Sequence, residues 1–197
     1  MKKIALVLMI LAAAPAFAEV ALPANAPGDF GLSIESGWNS YAGMIGIRGE
    51  YRLFAGLAAN VGAGIGAWGS RLSAGLRYYP SWPYGLAFGA GLAFNNAEQN
   101  RYDHESLTVD SATGTETKEV VTYRTKQVFV INLSAVYSWD FSDGDRFYVE
   151  AGWGISLKND PYSSTTASGH PLSKSSKQKM DLVQPGGLII ACGYTFF

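Results

Sequence analysis

The chain has 197 residues, 48 % of them hydrophobic and 16 % charged, with 23 glycines, one cysteine and a formal net charge of −1. That length fits one domain, and so sparse and balanced a charge excludes a disordered chain and a nucleic-acid-binding surface with its basic excess. The single cysteine, Cys192, excludes an intrachain disulfide framework and a multi-cysteine metal site.

Residues 1–18 read as an export signal: Lys2 and Lys3 form a positive start, Ile4 to Ala14 an apolar stretch, and Ala16-Phe17-Ala18 a cleavage site before Glu19. The apolar stretch is too short to span a bilayer, and no later run is long enough for a membrane helix. The signal implies export from a bacterial cytoplasm to the periplasm, the medium or the outer membrane. Residues 19–29, with Pro23, Pro27 and Gly28, lack periodicity and read as an N-terminal arm.

From Phe30 onward the chain alternates with period two, the signature of a strand whose residues i, i+2 and i+4 share a face. Eight segments are predicted, at about 30–39, 43–53, 57–66, 71–78, 84–94, 129–138, 146–157 and 187–196. In the first, Phe30, Leu32, Ile34 and Trp38 oppose Gly31, Ser33, Glu35, Gly37 and Asn39. In the seventh, Phe147, Val149, Ala151, Trp153 and Ile155 oppose Arg146, Tyr148, Glu150, Gly152 and Gly154. Each strand is about the length needed to cross a bilayer at a tilt. Opposite every large apolar face stand Gly, Ala, Ser and charge, not the aliphatics a soluble sandwich core requires. The large face must therefore be solvated by something apolar outside the sheet, and a sheet in lipid must close into a barrel to satisfy its backbone.

The connections agree. Links after strands two, four and six are short, whereas those after strands five and seven, roughly 95–118 and 158–186, are long and polar. Aromatic residues gather near the two ends: Trp38, Tyr41, Trp68, Phe94 and Tyr123 at one, and Phe30, Tyr51, Phe54, Tyr137, Trp139 and Phe147 among those at the other. Rings suit the headgroup level there.

The signal, the eight alternating segments and the ending Gly193-Tyr194-Thr195-Phe196-Phe197 resemble the small eight-stranded outer-membrane barrels, the superfamily of outer-membrane proteins A and X and the opacity-like proteins. The resemblance implies an all-β, antiparallel, up-and-down transmembrane barrel over residues 30–197, monomeric, with both termini periplasmic. It implies that Tyr194, Phe196 and Phe197 form the signal read by the barrel-assembly machinery. It does not fix a role, because architecture is shared by proteins with unrelated roles.

Inside such a barrel, Glu35, Arg48, Glu50, Arg52, Arg77, Arg146 and Glu150 are expected to form an ion-pair network. Unpaired charge in a narrow lumen costs several kcal/mol per ion, and eight strands leave an interior only wide enough for side chains. A gated proton or ion path is the alternative. Glycines on the inner faces of strands three and five offer room for the arginines. Arg71, Arg124, Lys126 and Lys158 form a possible basic rim for the phosphates of lipopolysaccharide.

His104-Glu105-Ser106 places an imidazole and a hydroxyl two residues apart on an extended segment, a spacing similar to the His-x-Ser of the lipid A deacylases. It falls in a loop with no oriented acid, so the expectation is loop polarity and no enzyme, cofactor or metal. The loop at 98–119 carries −4 and that at 158–181 carries +2, so the two could dock on each other or present a split face. Leu107 to Asp110 and Thr115 to Tyr123 flank a turn and read as a β-hairpin that would extend strand six as a protruding sheet. The sequence reading is thus a non-enzymatic outer-membrane barrel, acting structurally or by adhesion to a host or other surface through the long loops. Its rivals are an outer-leaflet lipid-modifying enzyme, a narrow channel for a small solute and a soluble ligand-binding barrel.

Overall fold

The computed structural model describes residues 30–54, 56–80, 85–96, 101–141 and 145–196. The export signal at 1–18, the arm at 19–29 and Phe197 lie outside the described residues. Eight antiparallel strands close a barrel in the order β1 (Phe30–Ser40), β2 (Gly43–Phe54), β3 (Leu57–Gly66), β4 (Gly69–Tyr78), β5 (Gly85–Asn96), β8 (Val128–Asp140), β9 (Arg146–Ser156) and β11 (Leu188–Phe196). These are the eight expected segments, and the fold class is the one expected from their alternation. The seam joins β1 to β11 from Leu32 opposite Phe196 to Trp38 opposite Ile190. Inside it, the hydroxyls of Ser33 and Thr195 share a hydrogen bond of 2.8 Å.

Two excursions interrupt the meander, both at the same end. Between β5 and β8 run β6 (Arg101–Val109) and β7 (Glu116–Thr125), and between β9 and β11 run β10 (Tyr162–Thr166) and helix α1 (Lys174–Val183). Strands β10, β7 and β6 form their own three-stranded sheet. The hairpin is therefore where the sequence placed it, but it does not prolong a barrel strand: Lys126 and Gln127 break the ladder between β7 and β8. Nor are the long loops irregular. The helix was not expected; it starts at Ser173, whose side chain accepts from the Ser176 N–H, and Pro185-Gly186-Gly187 follows its end.

The barrel is inverted relative to a soluble core. Its outer face carries exposed Phe30, Ile34, Ile45, Ile47, Val61, Leu72, Phe88, Leu92, Phe129 and Ile190, reaching 67 % exposure at Ile65, while the buried inner face holds arginine, glutamate, asparagine and serine. Period-two alternation puts one set out and the other in on every strand.

Candidate functional site: a sealed lumen and a folded cap

The inner faces of four strands bring six of the seven expected network residues together in contact. Arg48 Nη1 stands 2.9 Å from Glu35 Oε2 and 2.9 Å from Glu150 Oε2. Arg77 bridges Glu150 at 3.0 Å and Glu50 at 3.3 Å, and Arg146 reaches Glu50 at 2.6 Å. Arg52 is buried on the same face of β2. Three tyrosines complete the packing, of which the alternation puts only Tyr148 on the inner face. Tyr148 donates to Glu35 at 2.6 Å and lays its ring 4.5 Å from the Arg48 guanidinium. Tyr79 donates to Glu50 at 2.9 Å with its ring 5.1 Å from Arg146. Buried charges so paired and bonded offset much of their desolvation cost.

The third tyrosine, Tyr41, corrects an expectation. Its place at a strand end predicts a member of the aromatic end belt, yet it is fully buried. Residues 36–40 of β1 span only residues 43–45 of β2, and Asn39 has φ of 52°, so the β1–β2 turn folds inward. Gly43 supports this turn at φ of 89°, where an added Cβ would lie 2.7 Å from the Ile65 carbonyl oxygen. The ring then occupies the room left by Gly75, Gly89 and Gly91, each of which has a Tyr41 side-chain atom within 3.5 Å of where a Cβ would stand, and Gly62 makes way for the Tyr41 carbonyl. The inner glycines thus make way for a tyrosine as well as for arginines.

Arg71 is a second correction. It is no rim residue open to phosphate: it is buried, donating to Asn95 at 3.0 Å and Asn132 at 3.2 Å. Its strand position at the mouth points it inward, beneath the cap. Among the described residues no carboxylate lies within ion-pair distance of it. Of the remaining rim candidates, Arg124 and Lys158 are exposed and Lys126 half-buried. Lys126 N–H donates to the Pro161 carbonyl at 2.9 Å and Lys158 Nζ to that of Gln127 at 3.4 Å. At the other end, Tyr194 donates to Asp145 at 3.1 Å and Phe196 is exposed on the outer face.

The cap is a folded unit. Trp68, Val121, Tyr123, Leu172 and Met180 form a buried cluster, with Trp38, Ala67, Tyr162 and Val183 packed against it; burial of this kind contributes about 1.5–3 kcal/mol per large side chain. Trp68 and Tyr123, expected in the aromatic end belt, belong to this cluster. Residues 171–173 pair with β6, through Val109 N–H to the Pro171 carbonyl at 2.9 Å and Ser173 N–H to that of Leu107 at 2.8 Å. Trp68 Nε1 donates to the Val183 carbonyl at 2.7 Å and Asn39 Nδ2 to that of Gln184 at 2.9 Å, which ties α1 to the barrel mouth. Opposite loop charges do not hold it: among the described residues the cap's ion pairs, Lys118 with Glu105 and Arg101 with Asp103, stay inside the hairpin.

Ser106 and Tyr123 share a hydrogen bond of 2.7 Å, while His104 is exposed and stacks on Tyr102 at 5.8 Å. Among the described residues no hydrogen bond joins His104 to Ser106, so the pair is not assembled as base and nucleophile. Glu119 accepts from Ser168 N–H at 3.0 Å and from its hydroxyl at 2.5 Å, which holds its carboxyl below the ordinary value of 4.5. The phenol of Tyr162 is pushed up to about 12 by burial.

Between cap and barrel lies a cavity of about 710 Å³. Trp38, Met44, Ala67 and Trp68 from the barrel mouth, Tyr102 to Leu107 in part from β6, Lys118 from β7, and Ser176, Lys179, Met180 and Val183 from α1 line it. Comparison of the chain with family models, with curated proteins and with solved structures found no match in any of the three.

Proposed function

We propose that this chain is an integral β-barrel of the bacterial outer membrane, one of the small eight-stranded barrels it resembles, with both termini periplasmic and the cap outside. Its role is structural or interactive and is carried by the cap. The observation behind this reading is the inversion of the barrel: large apolar side chains stand exposed around the whole outer face while paired charge is buried within. Monomeric soluble proteins rarely expose so large a contiguous apolar surface, and a hydrocarbon layer removes its cost. Passage of a solute finds no support, because Tyr41 and the ion-pair network fill the lumen. With no dyad assembled at His104 and Ser106, lipid-modifying chemistry finds none either. Arg124, Lys126 and Lys158 supply cations that would meet lipopolysaccharide at the headgroup level.

The test is gel mobility of the outer-membrane fraction, unheated against boiled, with protease shaving of intact cells. A fast compact band that slows on boiling, together with cleavage confined to the cap, is expected. A soluble protein with no shift would overturn the assignment.

A further inference from the structure

We propose that the cavity between cap and barrel binds a single-chain anionic amphiphile of the fatty-acid class, an inference that deepens the reading of the cap as the functional surface and rests on it. At about 710 Å³ the cavity falls within the roughly 300–1,000 Å³ range of ligand sites, which pair an apolar wall with a few polar groups. Its wall fits a hydrocarbon tail: Trp38, Met44, Trp68, Leu107, Met180 and Val183 all contribute. The two methionines adapt to an irregular chain, while Trp68 is fixed by its bond to the Val183 carbonyl. On the barrel side its lining includes Trp38, which pairs in the seam with Ile190 of the outer apolar face.

The charge at the lining sets the headgroup. Lys118 is paired with Glu105, whereas Lys179, on α1, has no carboxylate within ion-pair distance among the described residues. The lining therefore carries one uncompensated positive charge, and His104 adds a further polar group to it. An anionic head, carboxylate or phosphate, satisfies that charge; an uncharged one leaves it without a counter-ion. At about 710 Å³ the space under α1 suits one acyl tail, and a second would press on the helix held at Trp68 and Asn39.

The experiment titrates dibromostearate into the full chain refolded in a nonionic detergent, with Trp82, Trp139 and Trp153 replaced by Phe so that Trp38 and Trp68 report from the cavity wall. A saturable quenching component is expected. Val183→Phe, which fills the cavity, should abolish it, and Lys179→Glu should weaken it about tenfold, since it reverses the charge met by the head. Both substitutions lie on α1 and leave the barrel strands untouched, so the heat-dependent gel shift of each variant verifies folding. Brominated dodecanol and a brominated diacyl phosphatidylglycerol serve as the other arms. Absence of a saturable component, insensitivity to either substitution, or an equal or better response to the alcohol or the diacyl lipid would each overturn the proposal. The titration does not require a membrane. A heat-shifting outer-membrane barrel that fails to bind dibromostearate overturns the cavity reading alone, and a soluble chain that binds it overturns the membrane reading alone.

Discussion

Replacing Arg48 by methionine should cost the barrel about 3 kcal/mol, and the groups left behind set that figure. Arg48 is buried with Nη1 at 2.9 Å from both Glu35 and Glu150. Removing one member of a buried ion group typically costs ~3–5 kcal/mol because it strands charge in a poorly solvated site. Here Glu35 keeps the Tyr148 hydroxyl at 2.6 Å and the Ala42 N–H at 3.0 Å, and Glu150 keeps Arg77 at 3.0 Å, so the lower end applies. Methionine replaces most of the arginine stem, so the loss reports charge more than cavity. At about 1.4 kcal/mol per factor of ten, the folding equilibrium falls roughly a hundredfold. Arg71→Met is the control. That arginine lies between two amides, with no carboxylate within ion-pair distance among the described residues, so its removal should leave stability unchanged or raise it. Urea unfolding in detergent micelles, followed by the compact gel band and by tryptophan fluorescence, measures both. An unchanged midpoint for Arg48→Met, or equal losses for the two variants, would refute the reasoning.

Acid should loosen the cap at Glu119. Its carboxyl is held below 4.5 by Ser168, so the tether is fully present above that value and is lost as pH falls through the lowered one. Amide exchange at Ser168 and Gly169, corrected for the intrinsic rate, should accelerate on acidification in the wild type and be fast and pH-flat in Glu119→Ala; a pH-flat wild type would contradict the tether. Ser173→Ala removes the N-cap of α1 at a cost of about 1 kcal/mol, so exchange across Lys174–Val183 should quicken about fivefold while the barrel midpoint stays put. Cys192 is exposed on the outer face of β11, where lipid would cover it. In outer-membrane vesicles it should resist a charged maleimide and react after boiling, and rapid labelling of intact vesicles would count against the membrane reading.

What was legible in the sequence was whatever depends on period two. The expected strand segments fall within a few residues of the observed ones because each has two chemically distinct faces, and a slip of one residue would exchange them. The network residues were legible for the same reason: Glu35, Arg48, Glu50, Arg77, Arg146 and Glu150 all sit at inward parity. Tyr41 was not, because the β1–β2 turn breaks parity with an uneven pairing and a left-handed Asn39. An aromatic at a strand end then looks the same whether it points to lipid or folds back into the lumen. The only trace was a surplus of inner-face glycine. Helix α1 leaves a clearer signal: Ser173 as cap, Ser176, Met180 and Val183 spaced along one stripe, and Pro185-Gly186 as a stop. Its composition is so polar that the helix needs β6 and Trp68 to pack against, and a reading of local pattern alone could not supply that partner.

If the lumen is sealed and the cap carries the function, the two should be separable. The β5–β8 ladder runs without interruption from Gly85 opposite Ser138 to Asn95 opposite Val128, so its register owes nothing to the hairpin inserted between them. Strand β5 ends at Asn96 and β8 starts at Val128 beside it, and a short Gly-containing turn can join them. Replacing residues 97–127 by such a turn removes β6 and β7, and with them Val121, Tyr123 and Leu107 from the cap, but leaves every lumen ion pair in place. The shortened chain should therefore keep its heat-dependent gel shift and close a barrel with its lumen ion pairs intact, while losing saturable quenching by dibromostearate. A barrel that fails to close without the hairpin would mean that the cap is part of the folding unit, with Arg71 and Tyr41 held in the mouth from above and not by the strands alone.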